Sequence, residues 1–229
     1  REYLFAVLSF LLTLAQVGGI AVFHEDIQSV SLVMLTVGTA YLVLMSALHL
    51  FYDRILTLIR NTRDFFGLFS RLPVQHGASP KLRILVFNWR DTKHVWAGGA
   101  EVYIHELAKR WVKEGNRVTV FCGNDGHTPR NEVIDGVQIV RRGGFYTVYI
   151  WAFLYYVLRF RGSFDVVVDS ENGVPFFTPL FVRIPKYLLI HHVHQDVFRE
   201  HLRFPLSMLA MFIESTLMPL IYRNQRIIT

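Results

Sequence analysis

Two uncharged apolar stretches in tandem, Tyr3–Phe23 and Val30–Tyr52, constrain this chain more than any other feature. The first has Gln16 as its one strongly polar residue, and Gly38, Ser46 and His49 are the interruptions of note in the second. Each reaches the roughly 20 residues a helix needs to cross hydrocarbon. A signal peptide or a pair of buried core helices fits poorly, because two such runs follow one another without an obvious cleavage site. The expectation is a transmembrane helical hairpin with spans at about 3–23 and 30–52.

Charge orients the hairpin. The connection His24-Glu25-Asp26 has no Lys or Arg, whereas Arg54, Arg60, Arg63, Arg71, Lys81 and Arg83 all follow the second span. Basic flanks stay cytoplasmic, which predicts a multi-pass protein of the cell (inner or plasma) membrane with its soluble part in the cytoplasm. Between Asp53 and Arg71, Ile55, Leu58, Ile59, Phe65, Phe66 and Phe69 are spaced among basic residues as in an interfacial helix; a plain extension of the span is the other reading. Residues 1–71 are thus expected as hairpin plus juxtamembrane helix, 72–80 as a Pro/Gly-bearing linker, and 81–229 as a single domain.

The formal charge of +6 is explained by this topology and by anionic lipid, and no nucleic-acid motif accompanies it, so no nucleic-acid partner is expected. A lone cysteine, Cys122, excludes a disulfide scaffold and a Cys-rich zinc site. The chain starts at Arg1 and stops inside an apolar run, and it is expected to be a fragment at both ends.

After Lys81 the pattern changes. Short apolar runs suited to buried strands occur at Arg83–Trp89, Arg117–Cys122, Val137–Arg141, Asp165–Asp169, Tyr187–Val193 and Arg226–Thr229. Ala100–Glu114 keeps Val102, Ile104, Leu107, Ala108, Trp111 and Val112 on one side of a helix that Gly115 ends. Strand, helix, strand is the βαβ unit, so the fold class is α/β, a Rossmann-like parallel sheet. Two further stretches, Phe145–Phe160 and Phe204–Tyr222, are expected to cover the sheet as helices. The alternative is contact with a membrane surface or lipid substrate, which Tyr146, Tyr149, Trp151, Tyr155, Tyr156, Arg159 and Arg161 would support.

Three segments could carry chemistry. Gly98-Gly99-Ala100-Glu101 opens the first helix directly after the first strand, where backbone N–H groups and the helix dipole suit a phosphate; glycines serving only a tight turn are the plain alternative. No GxxxxGK[ST] or GxGxxG is present. His191, His192, His194 and Asp196 cluster at a strand end, the edge where doubly wound sheets bind ligands. A polarising role at a substrate is favoured there over structural histidines, and zinc is disfavoured by the tight spacing. The turn Glu171-Asn172-Gly173 at the same edge suits either loop chemistry or hydrogen bonds to acceptor hydroxyls.

Taken together, the segments KLRILVFNWRDTKHVWAGGAEVYIHELAKRWVKEGNRVTVFCG, IDGVQIVRRGG, FDVVVDSENGVPFF and IHHVH resemble, in that order, the N-terminal half of family 4 (group 1) GT-B glycosyltransferases. The resemblance covers about residues 81–229 and leaves out the hairpin. It implies sugar transfer from a nucleotide-sugar co-substrate to an acceptor with retention of configuration, with no cofactor and no bound catalytic metal. It further implies that Gly98, Gly99, Ala100 and Glu101 form the donor diphosphate loop. His191 or His194 would lie near the transferred sugar as catalytic residues, and Glu171, Asn172 and Gly173 would meet the acceptor. The family's second, donor-binding domain has no counterpart in these residues, so this part alone is expected to be inactive. The hairpin favours a lipid-linked or glycan acceptor at the membrane. The competing reading is a non-catalytic, membrane-anchored Rossmann-like binding module.

Overall fold

The structure, a computed structural model, describes residues 2–69 and 80–229. The expected linker lies outside the described residues apart from Pro80. The chain forms two compact units that part after Ile59.

The first unit holds two helices, α1 (Glu2–Val22) and the greater part of α2 (Ile27–Gly67). Asp26 starts α2 by accepting from the Ser29 amide (2.6 Å) and hydroxyl (3.1 Å), which satisfies a first-turn donor that has no helical partner. Ser9 meets the Tyr41 hydroxyl at 3.2 Å, and a Cβ on Gly19 would come within 2.8 Å of Val33, so the two helices run antiparallel in close contact. Both are long and apolar enough to cross a membrane, over Phe5–Val22 and Ile27–Tyr52, and apolar side chains such as Phe10, Val17, Leu35 and Leu42 are exposed. The segment after Tyr52 continues α2 without a break.

The end of α2 belongs to the second unit. Buried Asp64 pairs with Arg130 and accepts from the Gly143 amide at 2.6 Å, Leu68 is buried, and Arg159 donates to the Leu68 carbonyl at 2.6 Å. A carboxylate removed from water needs such partners, which ties residues 60–69 to the α/β body.

That body is a seven-stranded sheet in the order β3-β4-β2-β1-β5-β6-β7. Its strands are β1 (Arg83–Phe87), β2 (Arg117–Cys122), β3 (Asn131–Ile134), β4 (Val137–Arg141), β5 (Val166–Glu171), β6 (Lys186–Ile190) and β7 (Arg226–Ile228). All pairings are parallel except β3 with β4. Without β3, the strands lie in the doubly wound order 3-2-1-4-5-6, so the Rossmann-like α/β class holds. The antiparallel edge strand β3 is absent from the expected set. Its signal was Asp135-Gly136, whose φ of 51° and 80° make the tight left-handed hairpin turn that this residue pair favours.

Helix α3 (Gly99–Lys113) covers one face, placing Ile104 and Ala108 on Ile84, Val86, Val118, Val120 and Leu189. It ends as expected, with Gly115 at φ +92°. Helix α4 (Val148–Tyr155), prolonged by a wider turn to Phe160, covers the other face. Trp151, Tyr155 and Tyr156 are buried there against Phe87 and Phe121, so these aromatics belong to the core and not to a membrane surface.

The second apolar stretch behaves differently. It splits into α6 (Leu206–Phe212), a wider turn over Ile213–Leu217 and α7 (Met218–Tyr222), after a short α5 (Gln195–His201). Ala210 is the one buried residue of α6, while Leu206, Met208, Leu209 and Phe212 are exposed. Sheet-covering describes α4 and fails for α6.

Candidate functional site

In a doubly wound sheet the strand order reverses beside the first strand, and the loops leaving the two strands at that point diverge to leave a crevice. Here the reversal lies between β1 and β5, and the two loops are the Gly-Gly segment and the Glu171 turn.

Gly98 and Gly99 are exposed and Ala100 is half-buried. Gly98 has φ −137°, an extended conformation open to any residue, and a Cβ there would meet only the Glu101 carboxylate at an ordinary 3.5 Å. A Cβ on Gly99 would meet nothing within 4 Å. Neither conformation nor packing in this domain requires glycine at either position, which counts against glycines serving the turn alone. The Gly98 amide is already engaged, donating to Glu101 at 2.6 Å. The amides of Gly99 and Ala100 lie in the first turn of α3, which has no helical acceptors for them.

Glu101 is fully buried and organises this edge. Beyond the Gly98 amide, it accepts from Arg90 Nε at 3.1 Å and from Asn172 Nδ2 at 3.0 Å. Arg90 stacks on Trp89, with 4.4 Å from its guanidinium carbon to the ring. A bare carboxylate beside an anion site would repel the ligand, and the Arg90 ion pair removes that charge.

Asn172 therefore joins the two loops, while Gly173 makes the turn at φ +112°, a conformation that does call for glycine. Glu171 lies beneath the surface. Its Oε1 accepts from the Gly173 amide at 2.7 Å, and Oε2 is buried without a hydrogen-bond partner. Burial pushes its carboxyl up to about 7, against the Gly173 hydrogen bond, with help from the negative charges of Glu214 and Asp169.

The strand β6 ends at Ile190, so the histidines are not bound by strand alternation. His191 pairs with Ser170 Oγ at 2.8 Å and sets its ring edge-on to Tyr103. His194 goes elsewhere. Its Nδ1 is 3.7 Å from both Glu171 and Glu214, and its ring stacks on Phe198 at 5.8 Å. Burial lowers the His194 pKa and outweighs the nearby Glu214 carboxylate. His192 is exposed with its ring 5.0 Å from that of His194.

Among the described residues, those able to converge on a cation are consequently not the histidine run with Asp196. They are Glu171, His194 and Glu214, whose ligand atoms lie within 4.8 Å of one another. Glu214 is already occupied by the His194 amide (2.6 Å) and Gln195 Nε2 (2.7 Å). Sequence reasoning missed Glu214 as a site residue. Its signal was a single carboxylate inside an apolar helix, a placement tolerated only with partners.

A cavity of ≈490 Å³ adjoins His194, with Asn172, Gly173 and Arg90 in its lining and Tyr149, Phe198 and Leu209 among its walls. Tyr149 is held by a hydrogen bond to the Val174 carbonyl at 3.2 Å.

Comparisons with known proteins bear on what this edge serves. No curated protein matches the chain. Among solved structures, sucrose-phosphate synthase from Thermosynechococcus elongatus is similar at 12% identity and a TM-score of 0.44, over 63% of this chain and 41% of the synthase. The chain thus spans about two fifths of the length of that protein. The profile of Glycosyltransferase Family 4 matches residues 97–229, from the Gly-Gly loop to β7 and across both loops of the crevice. The chain belongs to Glycosyltransferase Family 4.

Proposed function

We propose that this chain is the acceptor-side part of a membrane-anchored glycosyltransferase, which moves a sugar from a nucleotide-sugar to a lipid-linked or glycan acceptor with retention of configuration. The observation that carries this reading is the Gly98-Gly99 loop: a family 4 chain keeps open backbone at the switch point of its sheet, where its own packing asks for no glycine. The first-turn amides of Gly99 and Ala100 would receive the donor diphosphate, stabilising charge as it develops on the leaving group. Arg90 and Asn172 hold Glu101 so that the loop keeps its shape and its carboxylate stays neutralised. His194, neutral at the cavity, would donate or accept a hydrogen bond at the sugar or the acceptor hydroxyl. His191, tied to Ser170, is the weaker candidate for contact. Glu171 and Glu214 act as positioning residues for His194.

Anchoring rests on the two apolar helices and on the basic residues after the second, which favour a cytoplasmic site at the cell membrane where nucleotide-sugars are available. The test is to express the complete reading frame in membranes with a panel of UDP- and GDP-sugars, comparing wild type with Gly99→Trp and His194→Ala. Donor-dependent transfer that Gly99→Trp abolishes, with the unfolding midpoint kept, supports the reading, since a Cβ at this position meets no atom within 4 Å. Absence of nucleotide-sugar binding would overturn it in favour of an anchored binding module.

A further inference from the structure

We propose that the ≈490 Å³ cavity beside His194 seats the hydrocarbon chain of the acceptor, which makes the acceptor a glycolipid-type amphiphile with a hydroxylated head. The inference rests on the acceptor role proposed above and narrows it to one substrate class.

The cavity's lining combines a few polar side chains with a mainly apolar remainder. Arg90, Asn172 and His194 in its lining come from the crevice at the sheet edge, exposed Tyr146 adds a hydroxyl, and Trp89 and Tyr149 donate their polar hydrogens to the Phe145 and Val174 carbonyls. The rest of the lining is mainly apolar and includes Phe145, Phe198, Leu202, Leu206, Leu209 and Ile213. Such a wall offers water few of the two to four partners it needs, whereas an alkyl chain asks for none. The volume lies within the range of small-molecule sites.

The neighbouring helix supplies a separate observation. α6 leaves Leu206 at 51% and Leu209 at 54% exposure, and Met208 and Phe212 are similarly open. A helix that merely covered the sheet would turn one such stripe inward. Of these, Leu206 and Leu209 present apolar surface at the cavity, as an amphiphile-binding site requires.

The polar lining residues fix which amphiphile. Asn172 joins the Glu101 loop by hydrogen bond, so a head group at Asn172 and His194 stands at the same crevice as the Gly99 amide. A peptide seated in the cavity would bring backbone N–H and C=O groups that the apolar wall cannot satisfy, at a cost a hydrocarbon does not incur. The same chain carries two helices long and apolar enough to enter the bilayer in which such amphiphiles reside.

The experiment uses the complete reading frame in phosphatidylcholine nanodiscs, a dodecyl glucoside carrying a diazirine at the chain end, and mass spectrometry of the adducts. Adducts are expected on residues 197–213, displaced by unlabelled dodecyl glucoside and not by glucose. Leu209→Glu and, independently, Leu206→Gln should each lower that labelling about tenfold or more, because each removes apolar contact with the chain. Both positions are more than half exposed, so the fold tolerates the change. Labelling of the two N-terminal helices serves as the internal reference for bilayer contact. Adducts confined to those helices, or labelling at 197–213 that neither competitor nor variant reduces, overturn the proposal. Saturable labelling without donor-dependent transfer supports the seat and overturns the transferase reading; transfer without saturable labelling overturns the seat alone.

Discussion

Asn172 donates a hydrogen bond of 3.0 Å to Glu101 across 71 residues of sequence, and through it the loop after β1 and the loop after β5 share one buried carboxylate. Glu101 thereby ties together both segments that the sequence singled out at the sheet edge. Its other partners, the Gly98 amide and Arg90, leave it with no free role in chemistry. It acts as a positioning residue.

Glu101→Ala should accordingly destabilise the α/β body by about 3 kcal/mol, since it leaves Arg90 without its ion-pair partner and two further donors without an acceptor. Chemical unfolding of the full chain in detergent reads this through tryptophan fluorescence, because Trp89, Trp96, Trp111 and Trp151 all lie in that body. A loss below about 1 kcal/mol would show that the network carries little.

Gly99→Ala should separate stability from activity. The added methyl meets no neighbour and replaces the poorest helix former short of proline, so stability should hold or rise by up to about 1 kcal/mol. Transfer from a nucleotide-sugar should nonetheless fall, because the backbone no longer admits the diphosphate as closely. Equal stability with unchanged kcat/KM would remove the loop from the donor site.

The carboxyl of Glu171 gives a pH dependence with a definite sign. Its folded value of about 7 lies above the ordinary 4.5, so the folded state holds the proton more tightly than the unfolded one. Its contribution is full below about pH 4.5 and is lost as pH rises through 7, on the order of 3 kcal/mol in all. His194, lowered by burial, works the other way and loses its contribution as pH falls. The comparison is therefore between wild type and Glu171→Gln, whose stability curves should diverge between pH 4.5 and 7. Parallel curves across that window would sink the assignment.

Tyr222→Phe should cost about 2 kcal/mol without touching the crevice. Buried Asp169 accepts from the Phe176 amide (3.0 Å), the Thr178 amide (3.2 Å) and hydroxyl (2.8 Å), and the Tyr222 hydroxyl. Removing one donor from a carboxylate with no access to water leaves it under-satisfied. A thermal or denaturant midpoint unchanged from wild type would count against this account.

Patterns local in sequence were legible without coordinates. The two apolar stretches are helices; six of the seven strands lie where apolar runs placed them; α3 begins at the paired glycines and ends at Gly115. Each follows from hydrophobic periodicity and backbone freedom, which act over a few residues and so are written in the local sequence. Even the strand that was missed, β3, carried a local signal in its Asp-Gly turn.

Tertiary structure decided what depends on distant partners. The sequence left His191 and His194 equivalent, and only folding sent one to Ser170 and the other to Glu171, Glu214 and the cavity. It left Glu171 open between loop chemistry and hydrogen bonds to an acceptor, and only the folded body shows that the side chain is buried. It treated the stretches around α4 and α6 alike, although one closes the core and the other opens onto a cavity. Burial and electrostatic partnership arise from residues brought together across the chain, and one-dimensional spacing cannot encode them.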